Sequence, residues 1–195
     1  MTRINKKVLL TLVFLSALIP VVAADVIYYY HGSVTVCTTA MPIQLNCGPN
    51  GNVAGYITTT VGNHPHGYCF TATIYITNST YDYFYQFLTI KACKSGNLFV
   101  TNVYTGTGTN IECAWLIIQC ASTGNTIGKF EIISNGNANQ CTTIISLNSG
   151  VSYYVSLLVK PNNPLPKSGT ALGTITVYLG YAVVAPNSAI PLPLT

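Results

Sequence analysis

Clusters of Gly, Asn, Ser and Pro divide the chain into short runs rich in Val, Ile, Thr and Tyr, and this division limits the fold more than any other feature. β-Branched and aromatic residues suit a pleated surface, and the intervening residues are those that form turns. No run shows convincing helical periodicity. Strands at this spacing predict an all-β protein, an antiparallel β-sandwich of immunoglobulin-like or jelly-roll type. Residues 68–77 alternate clearly, and the run Trp115-Leu116-Ile117-Ile118, apolar on both faces, predicts a central strand. Turns are predicted between the strands, at 62–65 and 135–139 among other places. The predicted strands are 25–31, 33–39, 53–61, 68–77, 82–92, 98–105, 111–121, 127–134, 141–147, 151–159 and 172–184.

The segment from Asp25 to Thr39 alternates with a period of two, as a half-buried strand does. One of its faces is apolar throughout, and the other becomes polar after Tyr29. A strand in this place either pairs within its own sheet or completes the sheet of a neighbouring molecule, and the segment alone leaves both open. If it is a donor strand, the residues that it inserts are Val26, Tyr28, Tyr30, Val34 and Val36.

Residues 1–24 have the organisation of a secretory signal peptide. A basic start precedes an apolar run, and small residues at positions 23 and 24 offer a cleavage site. The alternative is a type IV pilin-like subunit that retains this segment as a helix, although Pro20 interrupts the run. Cleavage predicts a signal peptide 1–24, an N-terminal strand 25–37 (the donor strand if it leaves its own sheet), a β-sandwich domain 38–184 and a proline-containing tail 185–195. The mature protein is then expected to be extracellular and to have no membrane span.

Charge is scarce, at 6% of residues, and this excludes some classes of partner. Three of the eight Lys and Arg residues lie in the signal peptide, and no Arg follows Arg3. Nucleic-acid binding needs clustered Lys and Arg, so we expect no nucleic-acid partner. A surface of uncharged polar groups tolerates acid, because few carboxylates are present to protonate. Low net charge also removes the repulsion that keeps proteins apart, so the chain is expected to be glycosylated or to self-associate.

Catalytic motifs are not found in the sequence: it has no G-x-S-x-G elbow, no H-E-x-x-H and no phosphate-binding loop. The acids Asp82, Glu112 and Glu131 show no spacing typical of a glycosidase pair. The run His64-Pro65-His66, followed by Cys69, resembles a metal site but is more simply a polar turn. We therefore predict no enzymatic activity, no metal and no cofactor other than a glycan.

The sequon Asn78-Ser79-Thr80 follows a predicted strand, where an N-linked glycan is accessible. In a secreted chain, cysteines also predict disulfides, and seven leave one thiol over. Cys113 and Cys120 cannot pair if they share one strand, since roughly 3.3 Å per residue places them about 23 Å apart. Cys37 and Cys47 could close a loop at the base of the first strand. The candidates are Cys37, Cys47, Cys69, Cys93, Cys113, Cys120 and Cys141.

In this organisation, from the Ala23-Ala24 cut through the strand at 25–36 to the sequon at Asn78, the chain resembles the thread-filament subunits of thermoacidophilic Sulfolobales. These are archaeal cell-surface proteins. The resemblance implies a glycosylated extracellular filament, a homopolymer of identical subunits joined by donor-strand complementation. It further implies that residues 26–36 enter a groove in the next subunit. Adhesion or biofilm formation would be the expected role.

Two other readings are left open by the residues. A monomeric secreted adhesin or carbohydrate-binding module could stack the cluster Tyr81-Asp82-Tyr83-Phe84-Tyr85 on the sugar rings of a surface glycan or another cell. The same cluster is also explained by an alternating strand with Tyr81, Tyr83 and Tyr85 on one face. The other reading is the type IV pilin-like subunit with its helix retained.

Overall fold

The computed structural model describes Lys7 and residues 40–64, 67–106 and 110–183. The chain divides into two compact units, Met1–Thr39 and Ala40–Thr195, and the fold described below is that of the second. The predicted donor strand, the strands predicted at 25–31 and 33–39, the tail 185–195 and all of the predicted signal peptide except Lys7 lie outside the described residues.

Regular structure in the described part of the second unit consists of strands. The longer ones are rich in the β-branched and aromatic residues that suit a pleated sheet. Their bounds are β1 Ile43–Cys47, β2 Asn52–Val53, β3 Ile57–His64, β4 Gly67–Ile74, β5 Asp82–Ala92, β6 Gly96–Thr105, β7 Ile111–Cys120, β8 Thr126–Ser134, β9 Asn137–Ala138, β10 Ile144–Leu147, β11 Ser152–Pro161 and β12 Ile175–Val183.

Three sheets are built from these strands, and every pairing in them is antiparallel. The main sheet has six strands in the order β1-β5-β11-β7-β8-β9. Opposite it lie the β6 sheet, in the order β10-β6-β12, and the β3 sheet, in the order β2-β3-β4. One hydrophobic core is shared by all three sheets. The predicted all-β antiparallel sandwich is therefore confirmed for the described residues.

Contacts between layers show where the smaller sheets lie. Ile145 of β10 packs so closely on Gly128 of β8 that a Cβ at Gly128 would come within 2.6 Å of its side chain. At another place, the ring of Phe70 in β4 lies 6.0 Å from that of Phe87 in β5. The β6 sheet thus covers the β8 side of the main sheet, and the β3 sheet covers the β5 side.

The centre of the main sheet is its best-packed part. β7 lies between β11 and β8, which confirms the prediction that its apolar run forms a central strand. Leu116 and Ile118 are buried on the inner face, while Trp115 and Ile117 are half-buried on the outer face. Phe130 of the adjacent β8 has no exposed surface.

A bulge interrupts the pairing of β5 with β11 between Val155 and Leu157. At this bulge Gln86 has a left-handed backbone, with φ of 51°. The hydroxyl of the fully buried Ser156 accepts the backbone N–H of Gln86 at 2.8 Å and donates to Oε1 of Gln119 at 3.1 Å. These bonds satisfy polar groups that the irregular ladder would otherwise leave unpaired.

Some predicted boundaries were wrong. β1 was not predicted, because its five residues hold only two large apolar side chains, Ile43 and Leu45, and pairing with β5 decides its conformation. The predicted strand at 53–61 is two strands separated by a turn at 54–56. Within the predicted turn at 62–65, residues 62–64 pair with β4 instead, and β9 lies within the predicted turn at 135–139.

Candidate assembly edges and surface sites

Two long strands, β4 and β12, each have a hydrogen-bonded neighbour on one side only among the described residues. β4 has eight residues and pairs with β3, and β12 has nine and pairs with β6. An unpaired edge of this length presents backbone N–H and C=O groups to any strand that can reach it. These two edges are the candidate assembly edges.

The inner face of β12 is incompletely covered. Side chains at alternate positions pack on the core but remain half-buried, whereas Leu98 and Val103 of the adjacent β6 are buried. At the C-terminal end, the Tyr181 hydroxyl donates to the Lys94 carbonyl at 2.6 Å, and burial raises the pKa of Tyr181. The half-buried side chains of β12 are Ile175, Val177, Leu179 and Tyr181.

The inner face of β4 is also incompletely covered. Burial alternates along the strand as predicted, with Cys69, Thr71 and Thr73 exposed on the outer face. The inward side chains pack on the core without being fully buried, and Phe70 among them contacts Phe87. These half-buried side chains are Tyr68, Phe70, Ala72 and Ile74.

The other edge strands in the described residues are either short or have buried inward side chains. β2 and β9 have two residues each. β10 has four, of which Ile145 and Leu147 are buried, and β1 has five, with Leu45 buried. Incomplete burial along a long open edge is therefore a property of β4 and β12.

Sequence reasoning did not find these edges. The spacing of the apolar residues from Ile175 to Tyr181 predicts a strand, but which strands end a sheet depends on long-range pairing. The predicted donor residues, Val26, Tyr28, Tyr30, Val34 and Val36, lie outside the described residues.

The predicted glycosylation site lies on a well-connected surface turn. Asn78 is exposed, and its side-chain oxygen accepts the backbone N–H of Leu165 at 2.8 Å. The Asp82 carboxylate accepts hydrogen bonds from the Thr77 backbone and hydroxyl at 2.7 and 2.8 Å and from the Ser79 hydroxyl at 3.0 Å. Because the oxygen of Asn78 makes the contact, its amide nitrogen, the atom that carries an N-linked glycan, can be modified without breaking it.

The described cysteines carry free thiols, and disulfide pairing stays a prediction, with Cys37 outside the described residues. Cys113 and Cys120 share strand β7, which confirms the ground on which their pairing was excluded. Hydrogen bonding to Ser122, whose hydroxyl lies 3.2 Å from the sulfur, and to Thr123 lowers the pKa of Cys120 to about 7. The free thiols are Cys47, Cys69, Cys93, Cys113, Cys120 and Cys141.

An aromatic row crosses the outer face of the main sheet. Tyr83 and Tyr85 are exposed on one face of β5, as predicted for an alternating strand, and their rings lie 5.7 Å apart. Tyr81, which is also exposed, directly precedes the strand. Tyr83 is opposite Leu158 of β11, which is in turn opposite Trp115 of β7. Sequence reasoning could not place Trp115 beside the tyrosines, because the register of β11 decides it.

Two of the three acids that were considered for catalysis, Asp82 and Glu112, make structural contacts through their side chains. Asp82 holds the turn at Asn78, as described above. Glu112 accepts a hydrogen bond from the Lys160 ammonium group at 2.6 Å, and this bond raises the pKa of Lys160. The pair joins the start of β7 to the end of β11.

No group of three or more His, Cys, Asp or Glu side chains within the described residues is placed to hold a metal ion. Of the predicted polar turn His64-Pro65-His66, Pro65 and His66 lie outside those residues. The same part of the chain contains no helix with the length and apolar character needed to cross a membrane. No protein-family model matches the sequence, and no curated protein matches it either.

Proposed function

We propose that the protein is a structural subunit of an extracellular archaeal thread filament, in which each subunit inserts its N-terminal strand into the next. The observation that carries the proposal is the pair of long edges, β4 and β12, whose inward apolar side chains are half-buried. Natural sheets avoid leaving such edges open, and a further strand would cover both the backbone groups and the side chains. The alternating segment 25–36 has the composition of that strand.

Burial of the donor residues supplies the main attractive force in this proposal. Moving five side chains of the Val and Tyr type out of water contributes on the order of 8–15 kcal/mol before the cost of ordering the strand. Backbone hydrogen bonds along the edges add about 1 kcal/mol each. Release of the strand would expose the core of the acceptor, so dissociation is expected to be as slow as unfolding.

A contact of this kind is head-to-tail, since the donor and the acceptor are different parts of the chain. Repetition of a head-to-tail contact produces an open filament rather than a closed dimer. The glycan at Asn78 would lie on an exposed turn, and an uncharged surface would favour self-association in an acidic habitat. Adhesion or biofilm formation is the proposed role.

The test compares two substitutions in a chain that begins at Asp25. Tyr30→Lys places a charge on the apolar face of the donor strand, and Tyr29→Lys places the same charge one residue away on the opposite face. We expect filaments in negatively stained images of the Tyr29→Lys protein and of the unsubstituted protein, and none with Tyr30→Lys. Removal of residues 25–36 should also abolish filaments, and a truncated chain that still polymerised would refute the donor role.

The aromatic row supports a second candidate function, a carbohydrate-binding module. Tyr83, Leu158 and Trp115 form a continuous apolar row on a sheet face, and aromatic rings of this kind stack on sugars. Trp115 is the single tryptophan of the chain, so its fluorescence reports directly on this face. A saturable change in fluorescence with oligosaccharides, lost in Tyr83→Ala and retained in Tyr104→Ala, would favour this function.

A further inference from the structure

We propose that β4 and β12 are the two walls of a single slot, and that residues 26–36 of a second copy of this chain occupy it. The inference rests on the proposed function and adds the place where the strand enters. With the slot filled, the two smaller sheets become one continuous layer in the order β10-β6-β12-donor-β4-β3-β2.

The positions of the two edges over the main sheet support a single slot. β4 lies over β5, where Phe70 contacts Phe87. The end of β12 lies beside the end of β5, because the Tyr181 hydroxyl reaches the carbonyl of Lys94, two residues after that strand. β10, at the other side of the β6 sheet, lies over β8. The open edge of the β6 sheet is therefore turned toward the open edge of the β3 sheet.

The inward faces of both walls match the donor in spacing. Apolar side chains stand at every second position of β4 and of β12, and at every second position of residues 26–36 except Gly32. The walls have eight and nine residues, and the donor segment from 26 to 36 is slightly longer than either. A strand of this length can therefore pair along the whole of both edges.

Charge also distinguishes these edges. Exposed edge strands are usually protected from pairing by charged side chains. Neither β4 (GYCFTATI) nor β12 (ITVYLGYAV) contains Lys, Arg, Asp or Glu, and the same is true of residues 26–36. An incoming strand thus meets no charge that would have to be buried in the slot.

The experiment places a photo-crosslinking residue in the donor strand of the full mature chain. p-Benzoylphenylalanine replaces Tyr30, on the apolar face, or Tyr29, on the opposite face, as the matched control. Each protein is assembled as a mixture of ¹⁵N-labelled and unlabelled copies, irradiated and digested. Mass spectrometry then shows which peptides are joined and whether they come from one copy or from two.

From position 30 we expect crosslinks between copies to the inward residues of both 68–74 and 175–181, and from position 29 to the outward residues of the same two strands, because side chains of a paired strand meet only those on the same face. Crosslinks between copies to other surfaces, such as β1 or the outer face of the main sheet, would overturn the slot and leave the filament proposal standing. Crosslinks confined to single copies would overturn the second copy as occupant, and with it the proposed function. A chain that stays monomeric would likewise overturn both the second copy as occupant and the proposed function.

Discussion

The main sheet and the layer opposite it differ in how completely they are built. The main sheet is continuous over six strands, and its inward residues, such as Phe130, Leu88 and Val159, have no exposed surface. The opposite layer is divided into two sheets of three strands, and the inward residues of β4 and β12 are half-buried. We call the main sheet the finished wall of the core, because its inward residues are fully buried, and the opposite layer with β4 and β12 the unfinished wall.

In the proposed filament, this difference would divide stability and assembly between the two walls. Most of the stability of a single domain comes from burial of apolar surface, so the finished wall can hold the fold. Surface left partly exposed on the other wall is then available to a neighbour.

A charge on the unfinished wall should prevent assembly. Val177→Lys places an ammonium group where a donor strand would cover it, and an uncompensated buried charge costs on the order of 3–5 kcal/mol. Sedimentation velocity should show loss of polymers while circular dichroism shows a folded subunit. Thr176→Lys, on the exposed outer face of the same strand, is the control and should assemble. Equal assembly of the two variants would contradict the comparison.

Truncation of an aromatic ring should cost much more in the finished wall. Phe130→Ala removes a fully buried side chain and should lower the free energy of unfolding by about 3–5 kcal/mol. Phe70→Ala removes a half-buried ring on β4 and should cost roughly half as much in an unassembled subunit. Denaturant unfolding in the Tyr30→Lys background measures both. Similar losses for the two variants would show that the walls do not differ.

β12 should be sensitive to its single neighbour. A Cβ at Gly180 would lie 2.4 Å from the ring of Phe99 in β6, so Gly180→Ala should destabilise the pairing by about 1–3 kcal/mol. A Cβ at Gly106 would lie 3.6 Å from its nearest neighbours, the backbone N and O of Thr174, and Gly106 does not have a left-handed backbone. Gly106→Ala should therefore change stability by less than about 0.5 kcal/mol. Hydrogen exchange of the β12 amides and the unfolding midpoint report the effect. Unchanged hydrogen exchange of the β12 amides in the Gly180→Ala variant would argue against the dependence of β12 on β6.

Loss of the Glu112–Lys160 ion pair should have the smallest effect, because packing rather than charge holds the finished wall. Both side chains are partly exposed, so solvent screens their attraction, and Glu112→Gln is expected to lower stability less than Gly180→Ala does. The pKa of Lys160 is raised in the folded state, so this contribution is complete at neutral pH and disappears as the pH rises through the raised pKa. Urea unfolding at neutral pH, at low and high salt, measures the effect. A larger loss than that of Phe130→Ala would contradict the ranking.

Several features of the fold were predictable from local patterns. The alternation from Tyr68 to Ile74 correctly predicted a strand, and the apolar run at Trp115 correctly predicted a central strand. β1 and β9 were not predictable, since both are short and polar and form by pairing with β5 and β8. The bulge at Gln86 was also not predictable from the sequence, because it depends on a hydrogen bond from the Gln86 N–H to the buried Ser156 of β11.

By itself the sequence determined that this chain is built of strands, that it has little charge, and which residues of each strand share a face. These properties depend on neighbours along the chain, through the two-residue period of the pleat. Only the tertiary structure decided that, within the described residues, β4 and β12 end their sheets with half-buried apolar side chains, and that Trp115 lies in line with Tyr83. Both depend on pairing between residues far apart in the chain, and no local pattern encodes that pairing.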